Sequence, residues 1–363
     1  MKILVTGTAG FIGFHTVLRL LKEGFEVVGL DNINNYYDTH LKYNRLAHCG
    51  ISREEIAYAQ AAPSSVYPAY RFIKMDLTDK EGLQQLFQAE KPDRVIHLAA
   101  QAGVRHSLTH PDDYVQNNLV GFVHLLECIR NQPVQHFVFA SSSSVYGLNE
   151  NQPFSASDIV DHPISIYAAS KKSNELLAHS YSHLFGIPAT GLRFFSAYGP
   201  WGRPDMALYI FLKAIYEGKP IKVFNHGKMK RDFTYIDDIV EYIYRIVLKA
   251  PQGDPHWDAK KPNPSSSRAP FRIYNVGNGT PVPLMDFIDA IEFHVGREAR
   301  KDFLPMLPGD VPMTCADVAV LQRDFDFKPK VNVHEGVRHC VEWYNRYHRP
   351  DPSLTSKGIV GNV

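Results

Sequence analysis

Cysteine is scarce. Four stand in 363 residues, at Cys49, Cys128, Cys315 and Cys340, widely spaced and without a CxxC pair. That excludes a disulfide framework and a zinc ribbon and fits a reducing compartment. An excess of charge is missing too: 39 lysines and arginines against 38 aspartates and glutamates leave a formal net charge of +1. Such a chain has no global field to hold a polyanion, so nucleic acid is not expected as a partner. No apolar run approaches the roughly 18–20 residues of a membrane span. The apolar opening Ile3-Leu4-Val5 is too short for a secretory leader. Internal repeats are absent. The expectation is a cytoplasmic protein that does not enter a membrane and holds no metal.

What is present is ordinary for a globular chain: 44% hydrophobic, 12% aromatic and 21% charged residues. Lys2–Thr6, Glu26–Leu30, Arg94–Leu98, His136–Ala140 and Ala189–Phe194 are short apolar runs that predict strands. Between them apolar residues recur at helical spacing, as in Leu119, Phe122, Leu125, Leu126 and Ile129. Alternation of this kind predicts an α/β fold with a doubly wound, Rossmann-type parallel sheet. After about Pro200 the pattern shortens and proline becomes frequent. Helices are expected at Asp238–Lys249, Leu284–Val295 and His334–Tyr347, and strands at Ile221–Phe224 and Arg272–Val276. Ala57–Tyr70 and Pro251–Pro270 read as loops. The expected division is a dinucleotide-binding part in 1–200, a smaller mixed α/β substrate part in 201–349, and a tail in 350–363.

The first strand runs directly into Thr6-Gly7-Thr8-Ala9-Gly10-Phe11-Ile12-Gly13, which opens the first helix. Gly7 permits the tight turn, Gly10 lets the backbone approach a pyrophosphate, and Gly13 lets helix and strand pack closely. The helix N-terminus offers unpaired N–H groups to the anion, with Phe11 and Ile12 beside it. Asp31 ends the second strand, at the spacing of an acid that holds adenosine ribose hydroxyls, and Asn32 follows it. A carboxylate there repels a 2′-phosphate, and no lysine or arginine follows before Lys42, so NAD is expected rather than NADP. Asp76 and Leu77 are placed near the adenine, and Leu98, Ala99 and Ala100 where small residues let a cofactor pass. Asn117 is placed near the nicotinamide half. His97 reads as a packed strand histidine.

Tyr167-Ala168-Ala169-Ser170-Lys171 puts a phenol and an ammonium on one helix face, where the ammonium should lower the tyrosine pKa. Ser141-Ser142-Ser143-Ser144 follows the strand His136–Ala140, at the strand end where doubly wound sheets bind ligands. The two motifs together suit a Ser–Tyr–Lys catalytic set.

With TGTAGFIG, HLAAQAGVR, FASSSSVYG, YAASK and RDFTYIDD in order, the chain resembles the extended short-chain dehydrogenase/reductase family, in its nucleotide-sugar epimerase/dehydratase branch, from Met1 to about Tyr347. The resemblance implies Ser142, Tyr167 and Lys171 as the catalytic set and Asn117 and Phe195 near the nicotinamide. Dehydratases of the branch carry Asp-Glu just before VYG and sugar-acid decarboxylases carry Glu. This chain has Ser143-Ser144 there, so simple return of the hydride, epimerisation at C4, is implied. Asp31–Asp38, Gly103-Val104-Arg105, Tyr198–Ala207, the Pro251–Pro270 loop and Pro308–Pro312 resemble the group that acts on UDP-glucuronate and UDP-galacturonate. Substrate contacts implied are Arg105, the hydroxyls of Ser141, Ser142, Ser143 and Ser196 around a C6 carboxylate, Arg203 as its charge partner or as a nucleotide contact, Arg231 on the diphosphate, and Asp310 on the uridine ribose. A structural ion pair of Arg231 with Asp232 or Asp237 is the competing reading. Ser196 replaces the group's usual Thr, and Phe14 stands where a small residue is usual. The alternatives are a 4-epimerase of UDP-glucose/UDP-galactose or of N-acetylhexosamines, and a non-catalytic NAD-binding scaffold. A homodimer is usual in the family, and Leu176 and Leu177 read equally as interface or core.

Overall fold

The computed structural model describes residues 1–307 and 310–348. In chain order they form β1 (Lys2–Thr6), α1 (Phe11–Lys22), β2 (Glu26–Asp31), α2 (Thr39–His48), β3 (Ala61–Pro63), β4 (Tyr70–Lys74), α3 (Lys80–Glu90) and β5 (Arg94–His97). α4 (Pro111–Tyr114) and α5 (Gly121–Asn131) are joined through a π-helical turn and lead to β6 (His136–Ser142), α6 (Ile166–Phe185) and β7 (Ala189–Phe194). Beyond them come β8 (Ser196–Tyr198), α7 (Ala207–Tyr216), β9 (Ile221–Val223), β10 (Lys230–Arg231), β11 (Phe233–Tyr235) and α8 (Ile236–Leu248). The described chain closes with β12 (Phe271–Val276), β13 (Val282–Pro283), α9 (Leu284–Val295), β14 (Lys301–Phe303), α10 (Ala319–Phe325) and α11 (Val333–His348).

One eight-stranded sheet dominates, in the order β12-β7-β6-β5-β1-β2-β4-β3. Its neighbours run parallel except β3, which pairs antiparallel with β4. Strands covered on both faces read as unbroken apolar runs, and Ile3, Leu4 and Val5 of β1 are fully buried. On one face α1, α8 and α10 contribute Phe14, Val17, Leu20, Ile239, Ile243, Ile246, Leu321 and Phe325. On the other α3, α5 and α6 contribute Leu83, Leu86, Phe87, Phe122, Leu125, Leu126, Ile129 and Ala178. A separate core forms where α7, α9 and α11 pack on β8, β9 and β11, with Leu212, Ile288, Ile291, Val337 and Trp343.

The order reverses between β1 and β5: the chain builds outward through β2 and β4 on one side, then returns to build through β6 and β7 on the other. A crevice opens at such a switch, outside the carboxyl ends of the strands. The eighth strand is not among residues 1–200: β12 joins the sheet beside β7, and α8 packs on the same face as α1. The large sheet and its helices thus draw β12 and α8 from beyond residue 200. The Ala57–Tyr70 segment contains β3, and the tail expected at 350–363 lies outside the described residues. Phe14 is buried, with its ring edge-on to His15, His48 and Trp201, so the bulky residue after Gly13 joins α1 to the loop after β8.

Candidate active site

Gly7 has φ +79°, and a Cβ there would lie 2.7 Å from the Ala99 nitrogen. A Cβ on Gly13 would lie 2.0 Å from the Gly7 carbonyl oxygen. Two glycines are thus required by close approach, and α1 starts at Gly10 with no side-chain cap, leaving its first N–H groups for an anion. The Asp31 carboxylate is buried and accepts from the backbone N–H of Ala9 at 3.1 Å and of Ile33 at 2.8 Å, so it cannot swing away. Around these residues lies a cleft of about 350 Å³. Gly7, Gly10, Phe11, Ile12, Gly13, Asp31 and Asn32 form one wall, and Leu77, Leu98, Ala99 and Ala100 the other. Asn117, Ser142, Tyr167, Lys171 and Phe195 close its far end. The glycine cradle, the fixed acid and the elongated cleft fit a dinucleotide.

Asp76 is the exception among the expected cofactor residues. It does not line the cleft; its carboxylate accepts from Asn32 Nδ2 at 2.8 Å and from Thr78, and so positions Asn32. Asn117 lines the cleft but its amide donates to the Asp113 carbonyl at 2.8 Å. Its neighbour Asn118, missed in the sequence, is buried. It accepts from the Gln101 N–H at 2.8 Å and donates to the Gln101 carbonyl and to Ser170 Oγ, both at 3.0 Å. These bonds tie the loop after β5 to α6. Both asparagines sit in the π-helical turn Val115–Val120, whose extra residue shifts the helical phase that a sequence reading assumes. His97 is packed in its strand, as read: it is buried against Thr6 Oγ1 at 2.8 Å, and burial pulls its pKa down to about 3.

α6 begins at Ser165, whose side chain accepts from the Ala168 N–H at 3.1 Å, and this cap sets Tyr167 and Lys171 in the first two turns. Ser142 ends β6, and its hydroxyl accepts from the Ser144 N–H at 3.1 Å. Tyr167 has its pKa raised, chiefly by burial; the hydrogen bond with Ser142 and the Arg203 charge work the other way. Lys171 does not act on it here. The Lys171 ammonium donates to the Ala140 carbonyl at 2.9 Å, and burial pulls its pKa down to about 8. The expected lowering of the tyrosine pKa is therefore not seen: the ammonium is turned onto the end of β6, and burial raises the phenol.

A second cleft of about 240 Å³ lies on the other side of the serine strip. Arg105, Ser143, Ser144, Ser165, Ser196, Arg231, Asp310 and Thr314 line it. Arg231 Nη2 pairs with Asp310 Oδ1 at 3.0 Å, so the two residues expected on the diphosphate and the uridine ribose meet each other. Asp232 is not the partner: it accepts from the N–H groups of Asn278, Gly279 and Ala316. Arg105 lies 5.3 Å from the Phe224 ring centre. Two expected substrate contacts are placed differently. Arg203 lines the dinucleotide cleft and pairs with Asp205 at 2.9 Å. The Ser141 hydroxyl donates to Glu175 Oε1 at 2.6 Å, behind the strip, where Glu175 pairs with buried Arg193. Ser141 and Ser142 are neighbours in β6, so their side chains face opposite ways. Gly13→Ala should lose dinucleotide affinity by about five- to 150-fold, since the forced shift of α1 costs about 1–3 kcal/mol; calorimetric titration with NAD checks this.

The chain matches the model of the NAD dependent epimerase/dehydratase family over residues 3–277. It is 50% identical to Protein CapI of Staphylococcus aureus over 349 residues, 96% of this chain and all of that protein. It is 46% identical to a probable UDP-glucuronate 4-epimerase of Rhizobium meliloti, covering 96% of this chain and 98% of that one. The crystal structure of a UDP-glucuronic acid 4-epimerase from Bacillus cereus, in complex with UDP-glucuronic acid and NAD, superposes with a TM-score of 0.78 at 31% identity, covering 95% of this chain and 99% of the other. With these matches, the chain belongs to the NAD dependent epimerase/dehydratase family.

Proposed function

We propose that the protein interconverts UDP-glucuronate and UDP-galacturonate by epimerisation at C4, using NAD. One observation carries the reading: Ser142 and Tyr167 line the dinucleotide cleft, Ser143 and Ser144, next along the chain, line the second cleft, and Asp310 is the only carboxylate among the described residues lining that second cleft. Asp310 is tied to Arg231, so no free acid stands by to drive elimination or protonate a carbanion. Bound NAD supplies a hydride acceptor that later returns the hydride to the same carbon. Tyr167 Oη takes the proton of the C4 hydroxyl and gives it back. Ser142 Oγ hydrogen-bonds the same oxygen. Lys171 holds the nicotinamide ribose, its ammonium leaving the Ala140 carbonyl to do so. Arg231 takes the diphosphate, a dianion that a guanidinium grips bidentately, and Asp310 is released to the uridine ribose.

A C4 ketone beside C5 makes the uronate a β-keto acid, which loses CO₂ when the C5–carboxylate bond aligns with the carbonyl π system. The enzyme must hold the carboxylate out of that alignment while the sugar turns about its diphosphate. With Ser141 engaged by Glu175, the hydroxyls left for this are Ser143 and Ser196, with Ser144 and Thr314 beside them. A turnover screen over UDP-sugars with and without a C6 carboxylate tests the substrate; preference for UDP-glucose overturns the uronate reading.

We further propose a cytoplasmic homodimer. All four thiols are free, and no helix among the described residues is long and apolar enough to cross a membrane. Leu177 packs into the core behind α6, whereas Leu176 and Leu184, eight residues apart on α6, are 56% and 67% exposed, beside exposed Phe185. An apolar stripe of this kind fits burial against a second copy.

Tyr167→Phe should keep NAD binding and lose turnover by about 10²–10⁴. Turnover within a few-fold of wild type removes Tyr167 as the base. Ser196→Ala should slow epimerisation, release CO₂ and a UDP-4-keto-pentose, and leave the hydride on reduced nicotinamide, which accumulates and absorbs at long wavelength. A wild-type rate without CO₂ or absorbance means that Ser196 does not anchor the carboxylate. Leu176→Glu should convert the dimer to monomer in light scattering with the far-ultraviolet spectrum unchanged; an unaltered mass places the interface elsewhere.

A further inference from the structure

Lys42 is left over by the reading of the dinucleotide cleft. Along the chain it is the first cation after Asp31 and stands eleven positions away, on α2. The fold brings it back. Its side chain is 5% exposed and lines the cleft together with Asp31, Asn32, Asn34, Tyr36 and Tyr37. The ammonium donates to Asn34 Oδ1 at 2.7 Å and stands 5.0 Å from the Tyr37 ring centre. Burial pulls its pKa down, the Asp31 charge raises it, and Arg45 and Arg203 lower it again, so these four charged groups feel one another across this end of the cleft. Three cations gather here among the described residues, Lys42, Arg45 and Arg203, with two carboxylates, Asp31 and Asp205. Arg203 is paired with Asp205, and Arg45 donates to carbonyls and to the Tyr37 hydroxyl. The charge set against the Lys42 ammonium is therefore Asp31, which two backbone N–H groups hold in place.

We propose that Lys42 is a cofactor-specificity residue: beside Asp31 it is that carboxylate's counter-charge, and once Asp31 is removed it becomes the anchor for a phosphate monoester on the adenosine ribose. Selection of NAD then rests on Asp31 alone, because the cation that an adenosine 2′-phosphate needs is already buried in the site. With Asp31 present, an incoming phosphate dianion meets a fixed carboxylate that cannot move away. Without it, the dianion enters a pocket holding three cations and a single carboxylate already engaged with Arg203. The inference rests on dinucleotide binding and is independent of which sugar is epimerised.

The test uses protein stripped of dinucleotide and titrated with NADH and NADPH, following reduced-nicotinamide fluorescence. The readout is the ratio of the two affinities. In Asp31→Ser the ratio should move toward NADPH by about ten- to a hundredfold, the range of one charged hydrogen bond, and the gain should shrink as salt is raised. In Asp31→Ser/Lys42→Met the ratio should fall back by about tenfold or more. Equal ratios in the single and double variants overturn the proposal, as does a single variant that binds NADH without gaining NADPH. Should Asp31→Ser fail to bind either nucleotide, Asp31→Asn, which keeps the side-chain shape, replaces it in both arms under the same criteria.

Discussion

The Glu175–Arg193 ion pair fixes the catalytic end of the molecule. Both side chains are buried; Arg193 Nε meets Glu175 Oε1 at 2.8 Å and Nη2 meets Oε2 at 2.9 Å. Separating such a pair inside a protein costs about 3–5 kcal/mol, so the elements that carry it have one arrangement. Glu175 belongs to α6, Arg193 to β7, and the Ser141 hydroxyl on the same carboxylate to β6. Arg193 also reaches the Tyr146 hydroxyl at 3.2 Å, which donates to Asn275 of β12 at 2.6 Å. Glu175 lies four residues after Lys171 and eight after Tyr167, on the same helix face. Holding Glu175 sets the rotation of α6, and with it the placing of Tyr167 opposite Ser142.

A second constraint joins the two parts of the chain. Arg45 is fully buried, and its guanidinium donates to the carbonyls of Ala9, Trp201 and Gly202 and to the Tyr37 hydroxyl. One side chain thus stitches the glycine turn, the loop after β2 and the loop after β8. Trp201 has φ +61°, a conformation uncommon outside glycine, and is kept there by the rings of Phe14, Trp343 and Tyr347 around it. The bulky Phe14 is explained by this cluster. The glycine turn, the loop after β2 and the loop after β8 therefore cannot shift independently of one another.

Much of the site was legible along the chain because its signals are local. A glycine turn, an acid at the next strand end and a phenol–ammonium pair on one helix face are set by backbone geometry over a few residues, and Gly7, Gly13, Asp31, Tyr167 and Lys171 all line one cleft. What was not legible has local causes as well. Asn118 went unread because it sits in a π-helical turn that alters the phase. The bond of Ser141 to Glu175 went unread because its partner lies on another element. Lys42 was discounted by its separation along the chain, which is no measure of distance once α2 folds over the cleft.

By itself, then, the sequence determined the alternation of strands and helices, the glycine turn and the pairing of Tyr167 with Lys171 on one helix face, since each depends on periodicity or on contacts between near neighbours. Tertiary structure alone decided the rest. It added β12 to the sheet, turned Ser141 onto Glu175, paired Arg231 with Asp310, moved Arg203 to the dinucleotide cleft and drew the Lys171 ammonium onto Ala140. In all of these but Arg203, whose partner Asp205 is two residues on, a charge or a hydrogen-bonding group is committed to a partner tens of residues away. Such partners are chosen by the cost of leaving a polar group buried and unpaired, and that cost exists only after the chain has closed around it.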